Sequence, residues 1–155
     1  MTNPVTYQVL DAIQTRLEAI TVANGYNTNA GNQVHLGMRK ANPDDVDTGP
    51  VLNIYDTSDE ADETTGWGAE PIHTTMRINV DSFIRYVDAE VTLTAHLLFQ
   101  DIFNATLNVA DRTLSGLALD FGYSGRTVEY PEPGGDTVSV SVEFTCLIQM
   151  PYGVI

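Results

Sequence analysis

Two stretches of the chain alternate between apolar and polar residues without a break. Even positions from Ile72 read Ile72, Thr74, Met76, Ile78, Val80, Ser82 and Ile84. Even positions from Val138 read Val138, Val140, Val142, Phe144, Cys146, Ile148 and Met150. This period-2 pattern predicts strands with one buried face and one wet face. Thirteen residues at about 3.3 Å each span roughly 43 Å, about twice the usual strand length. A small domain is expected to leave part of such strands uncovered, so the pattern predicts that neighbouring copies of the chain supply the missing cover.

A helical stripe precedes the first long strand. Val9, Ile13, Leu17 and Ile20 recur at spacings of three or four. Asn3 is the expected cap, Pro4 suits the first turn, and Asn24-Gly25 is the expected left-handed stop. Two short strands are predicted at Val34–Met38 and Val51–Tyr55, separated by a loop over Ala41–Pro50. Asp56 to Glu70 is predicted as an exposed acidic loop, because its carboxylates repel one another and no Lys or Arg lies between Ala41 and Met76. A second helix, capped by Asp88, carries Val91, Ala95, Leu98, Ile102 and Ala105 on one stripe, widened by Leu97 and Phe99. A strand through Leu117, Leu119, Phe121 and Tyr123 follows, Gly125 turns the chain into Thr127–Tyr130, and a Pro/Gly turn leads to the last strand.

Two striped helices cover one face of a sheet. The fold class expected is therefore α+β: a two-layer sandwich, mostly antiparallel, in a single domain over residues 1–155. The second face carries Thr137, Ser139, Ser141, Glu143 and Thr145, which suits solvent or a polar contact with a second subunit.

Charge narrows the choice of partners. Seven Lys and Arg stand against 21 Asp and Glu, for a formal net charge of −14. Such a surface does not neutralise a phosphate backbone or an anionic membrane, both of which need clustered cations. No run of apolar residues is long enough to span a bilayer, and Met1-Thr2-Asn3-Pro4 lacks the start of a secretory signal. The lone cysteine, Cys146, falls on the apolar side of the last strand and reads as a core thiol.

The residues offer little catalytic chemistry. Gly122-Tyr123-Ser124-Gly125 is not a nucleophile elbow, and Gly66-Trp67-Gly68 lacks the third glycine of a dinucleotide loop. His35, His73 and His96 are far apart and form no ligand pair. Asp44, Asp45, Asp47 and Gly49 miss the register of a calcium loop and its downstream Glu. No enzyme activity, cofactor or metal is expected. Trp67 either anchors a partner or folds back on its own sheet.

The order of several short features resembles the tail terminator (tail completion) proteins of long-tailed phages and tailed archaeal viruses. A first helix leads to Gly25-Tyr26, and a Val-x-Leu-Gly strand follows at Val34–Gly37. Gly49-Pro50-Val51-Leu52-Asn53-Ile54-Tyr55 is trailed by an acidic stretch. A long strand and a helix containing Asp101-Ile102 come next, and Tyr123-Ser124-Gly125-Arg126 precedes the closing strand. The resemblance implies a virion protein of the neck, assembled in the host cytoplasm as a homohexameric ring. Such a ring caps the tail tube, ends its polymerisation and joins it to a head-completion or connector protein. Genomic DNA passes through transiently without specific binding, and no membrane is involved. The alternatives are a head-closure or stopper protein of the same neck and, from another class, a calcium- or glycan-binding module built on the acidic segment and Trp67.

Candidate surfaces follow from these readings. Asp56, Asp59, Glu60, Asp62, Glu63 and Trp67 form a candidate partner or lumen surface. Arg77, Arg85, Ser139, Ser141 and Glu143 form a candidate subunit interface, with pairing inside the chain open as an alternative for the two arginines.

Overall fold

The computed structural model describes residues 3–37, 43–62, 71–86, 90–107 and 110–150. Its centre is a pair of 14-residue strands, β3 (Ile72–Arg85) and β5 (Thr137–Met150). They run antiparallel in unbroken register from Ile72↔Met150 to Arg85↔Thr137. The two alternating patterns are thereby in phase: Met76 meets Cys146, Ile78 meets Phe144 and Val80 meets Val142. A slip of one residue would turn one of the two apolar rows to the wrong side, so burial itself holds the register.

Three further strands complete a five-stranded sheet in the order β1-β2-β3-β5-β4. They are β1 (Val34–Leu36), β2 (Val51–Ala61) and β4 (Asp120–Glu129). Only β1 is parallel to its neighbour. Helices α1 (Val5–Glu18) and α3 (Val91–Thr106) bury their stripes through Val9, Ile13, Leu17, Ala95, Leu98 and Ile102, in one core with the apolar rows of β3 and β5. The fold is an α+β sandwich. A third, five-residue helix, α2 (Pro43–Asp47), stands where a loop was expected. Val46 of α2 and Val51 are buried apart from the main core cluster, and Asp47 pairs with Arg85 on the second face. That face is therefore covered at one end only.

The structure overturns the expectation that one copy cannot cover its long strands. Val138, Val140, Val142, Phe144, Cys146 and Ile148 are fully buried within a single chain, as are Met76, Ile78 and Val80. The 14 and 16 residues of α1 and α3 reach only about 21 and 24 Å at 1.5 Å per residue. Loop residues extend the cover: Ala30, Leu114 and Ala118 join the same core.

Other boundaries also move. Residues 56–61 of the expected acidic loop, 56–70, are strand, because the amides and carbonyls of this segment pair with β3 down to Ala61↔Thr74 while its side chains stay in water. Charge repulsion among side chains did not outweigh the backbone ladder. Gly125 does not turn the chain: β4 is one strand with a bulge between Tyr123 and Gly125, and it starts only after Leu117 and Leu119. The cap of α1 is Pro4, without a side-chain bond, and α1 ends at Glu18; Gly25, at φ +90°, closes a separate short turn. The Asp88 cap, Glu63 and Trp67 lie outside the described residues.

Two predictions follow from the core. Phe144 is fully buried and stacks on Phe121 at 5.4 Å between ring centres, so Phe144→Ala should cost about 3–5 kcal/mol in denaturant unfolding. Burial, and then the charge of Asp120, pushes the Cys146 thiol up to about 12. A thiol-labelling time course at pH 8 should show no reaction in the folded protein and full reaction once denaturant unfolds it.

Candidate assembly surfaces

The uncovered face of the sheet is tied across its strands by polar side chains. Asp81 on β3 is the centre: Tyr55 Oη on β2 donates to its Oδ2 at 2.7 Å, and Ser141 Oγ on β5 donates to its Oδ1 at 2.6 Å. Desolvation, and then the bond to Asp81, raises the Tyr55 hydroxyl above its usual range. Glu143 accepts from Ser124 Oγ at 2.8 Å and lies 3.7 Å from Arg77, which also reaches Glu60 at 3.9 Å. Ser139 Oγ donates to Glu129 at 3.4 Å. Arg85 bridges Asp47 and, at 2.7 Å, Asp136.

The five residues proposed for a subunit interface thus share one face, as the alternation predicts. Arg77 and Arg85 have carboxylate partners inside the chain, the alternative left open above. Both remain more than a third exposed, so these pairs contribute little stability. Between the strands lie two shallow hollows. One, of about 320 Å³, is bordered by Tyr55, Asp81, Phe83 and Ser139; the other, of about 250 Å³, by Asn79, Thr127 and Glu143.

The acidic positions divide between the two faces. Asp56 pairs with Ile78 and Asp59 with Met76, both helix-side positions of β3. Ser58 and Glu60 pair with Arg77 and Thr75 and lie on the open face. The bulge at Thr57 makes this possible, since it puts Asp56 and Asp59, three residues apart, on one side. Both carboxylates are exposed. Partial desolvation, and then the charge of Asp56, raises the Asp59 carboxyl above the usual range. Asp62 follows the strand end, where its amide donates to His73 at 2.9 Å.

Sequence reasoning missed three features. Asp101 on α3 is buried and accepts four bonds of 2.8–3.0 Å from the amides of Asn27 and Thr28, Asn27 Nδ2 and Thr28 Oγ1. Its place among apolar stripe positions was a visible signal of a buried, satisfied acid. Asp111 organises the turn after α3: it accepts from the Ser115 amide at 2.9 Å and pairs with Arg16 of α1 at 2.8 Å. This holds Leu114 and Ser115 at φ +50° and +59°, a region that residues other than glycine rarely enter. Thirdly, Phe99 and Phe103 of α3 and Tyr123 of β4 form an aromatic cluster with ring centres 5.4–6.0 Å apart. Beside it opens an apolar hollow of about 330 Å³, bordered by Leu107, Phe121 and Arg112.

Among the described residues, no three His, Cys, Asp or Glu side chains are grouped to hold a metal ion. His35, His73 and His96 stand on β1, β3 and α3. Nor is any described helix long and apolar enough to cross a membrane. Neither a protein-family model nor a curated protein sequence matches the chain.

Asp111 yields a pH prediction. Its bond from Ser115, seconded by Thr113 and Arg16, holds its carboxyl below the usual range. A depressed carboxyl stabilises the fold above its unfolded pKa of about 3.9, and that stability is lost as pH falls through the folded value. Asp111→Asn should therefore lower the melting temperature at pH 7 and flatten its fall below about pH 4 in a calorimetric pH series.

Proposed function

We propose that this chain is a structural subunit of the head–tail junction of a tailed virus, a tail terminator. Copies of it form a hexameric ring that caps the tail tube, ends its polymerisation and joins it to the head connector. The observation that carries the reading is a sheet whose two margins have no strand beside them among the described residues, one of them carrying the acid-rich outer half of β2. An open edge offers backbone donors and acceptors to another chain. Two different edges allow a head-to-tail contact, which gives a ring where the rotation closes. The order of short features from Gly25-Tyr26 to Tyr123-Ser124-Gly125-Arg126 supports the same family, and the polar ties of the open face serve as framework rather than as an active centre.

The charge fits the same role. DNA carries one charge per ~1.7 Å, and a ring of copies each at −14 repels it, so a genome passes without sticking. The protein acts in the virion neck, without cofactor or catalysis.

The test is tube capping. The protein is added to growing tubes of a tail tube protein from the same genome, and length is followed by electron microscopy. Elongation should stop, with a ring of density at one end of each tube. Unchanged growth with bare ends overturns the assignment; a ring that binds the head connector but leaves tube growth unchanged transfers it to a head-closure protein.

A further inference from the structure

Two margins of the sheet have no strand beside them among the described residues. One is the whole outer side of β4; the other is formed by the outer side of β1 and, past Ile54 where β1 stops pairing, by β2 from Tyr55 onward. Each step from β2 through β3 and β5 to β4 is antiparallel, so β4 runs opposite to β2. A neighbouring copy whose sheet continues this one in the same sense brings its own β2 antiparallel to β4.

Register decides which side chains then meet. Arg126 pairs with Val142, a helix-side position, and its guanidinium lies 4.2 Å from the centre of the Phe99 ring and 3.3 Å from His96 Nδ1. Among the described arginines it is the one without a carboxylate: Arg16, Arg77, Arg85 and Arg112 each hold at least one. Asp56 and Asp59 lie on the helix side of the opposite margin, and among the described residues neither is paired with a cation. Setting Asp59 across from Arg126 in an antiparallel pair puts Ser58 across from Thr127 and Glu60 across from Gly125. All four of these residues are open-face positions in their own sheet. Asp59 and Arg126 thus agree in charge, strand direction and face; the same register sets Asp56 across from Glu129, so Asp59 alone meets the guanidinium.

We propose that β2 of one copy adds antiparallel to the outer edge of β4 of the next, with Asp59 of the first received by Arg126 of the second. This names the subunit contact of the ring described above and rests on that reading. The contact is heterologous, so each copy uses both margins once. The aromatic ring under Arg126 holds the guanidinium at the edge and limits its exchange with water.

Charge reversal tests it. Arg126→Glu and Asp59→Lys are measured by native mass over a concentration series, alone, mixed equally, and with tail tubes. Matching melting temperatures check that each variant folds. Wild-type protein should assemble, and each variant should fall to the mass of one chain where the wild type is assembled. The equal mixture should recover the assembly, because each variant supplies the charge that the other has lost. In parallel, Ser58→Cys combined with Thr127→Cys should give a ladder of covalent oligomers on oxidation; Cys146 is buried and does not contribute. Wild-type mass in either charge variant, or no ladder with or without tubes, overturns the contact. A protein that assembles and cross-links but leaves tube growth unchanged keeps the contact and removes the tail reading. Capping by rings that survive both charge variants does the reverse.

Discussion

In-phase pairing of β3 with β5 is the constraint on which the other parts depend. Two 14-residue strands lock over their full length because their apolar rows coincide. Once they do, one continuous apolar surface must be hidden from water, and that demand places both long helices on the same side. The opposite face is then left to Asp81, Ser141, Glu143 and their partners, which join strands without building a second core. The sheet is ordered around its two central strands, and among the described residues no further strand lies beside its margins.

Those margins give the molecule its character. An exposed strand edge is a hazard for aggregation, and charge on the edge is a common way to manage it. Here β2 carries Asp56, Asp59 and Glu60 on its exposed outer half, so like edges repel. The opposite edge presents an arginine held over an aromatic ring. In the proposed contact, a margin that repels its own kind and receives the other favours ordered closure over indiscriminate stacking.

Much of the architecture was legible from periodicity. The stripes of α1 and α3 and the rows of β3 and β5 lie where the spacing put them, because burial selects one residue in two or in about 3.6. The failures have physical causes. Residues 56–61 read as a loop because side-chain charge was weighed and the backbone ladder, which carries no sequence signature, was not. Gly125 read as a turn because glycine also serves at bulges. The long strands read as uncovered because Ala30, Leu114 and Ala118, scattered in loops, show no period. Of the candidate surfaces, the shared face of Arg77, Arg85, Ser139, Ser141 and Glu143 was visible in the alternation. That Arg126 alone among the described arginines lacks a carboxylate partner was not, since pairing by the other arginines is settled only in three dimensions.

β2, which lies at the margin past Ile54, and the edge strand β4 each contain one residue left out of the ladder, Thr57 and Ser124. That extra residue shifts the parity of everything after it. Asp56 and Asp59 on one margin, and Tyr123 and Arg126 on the other, share a side only because of it. The outer chemistry of this protein is thus set by a counting step decoupled from the core: losing one codon at either bulge would invert a margin while sparing every residue of the two central strands.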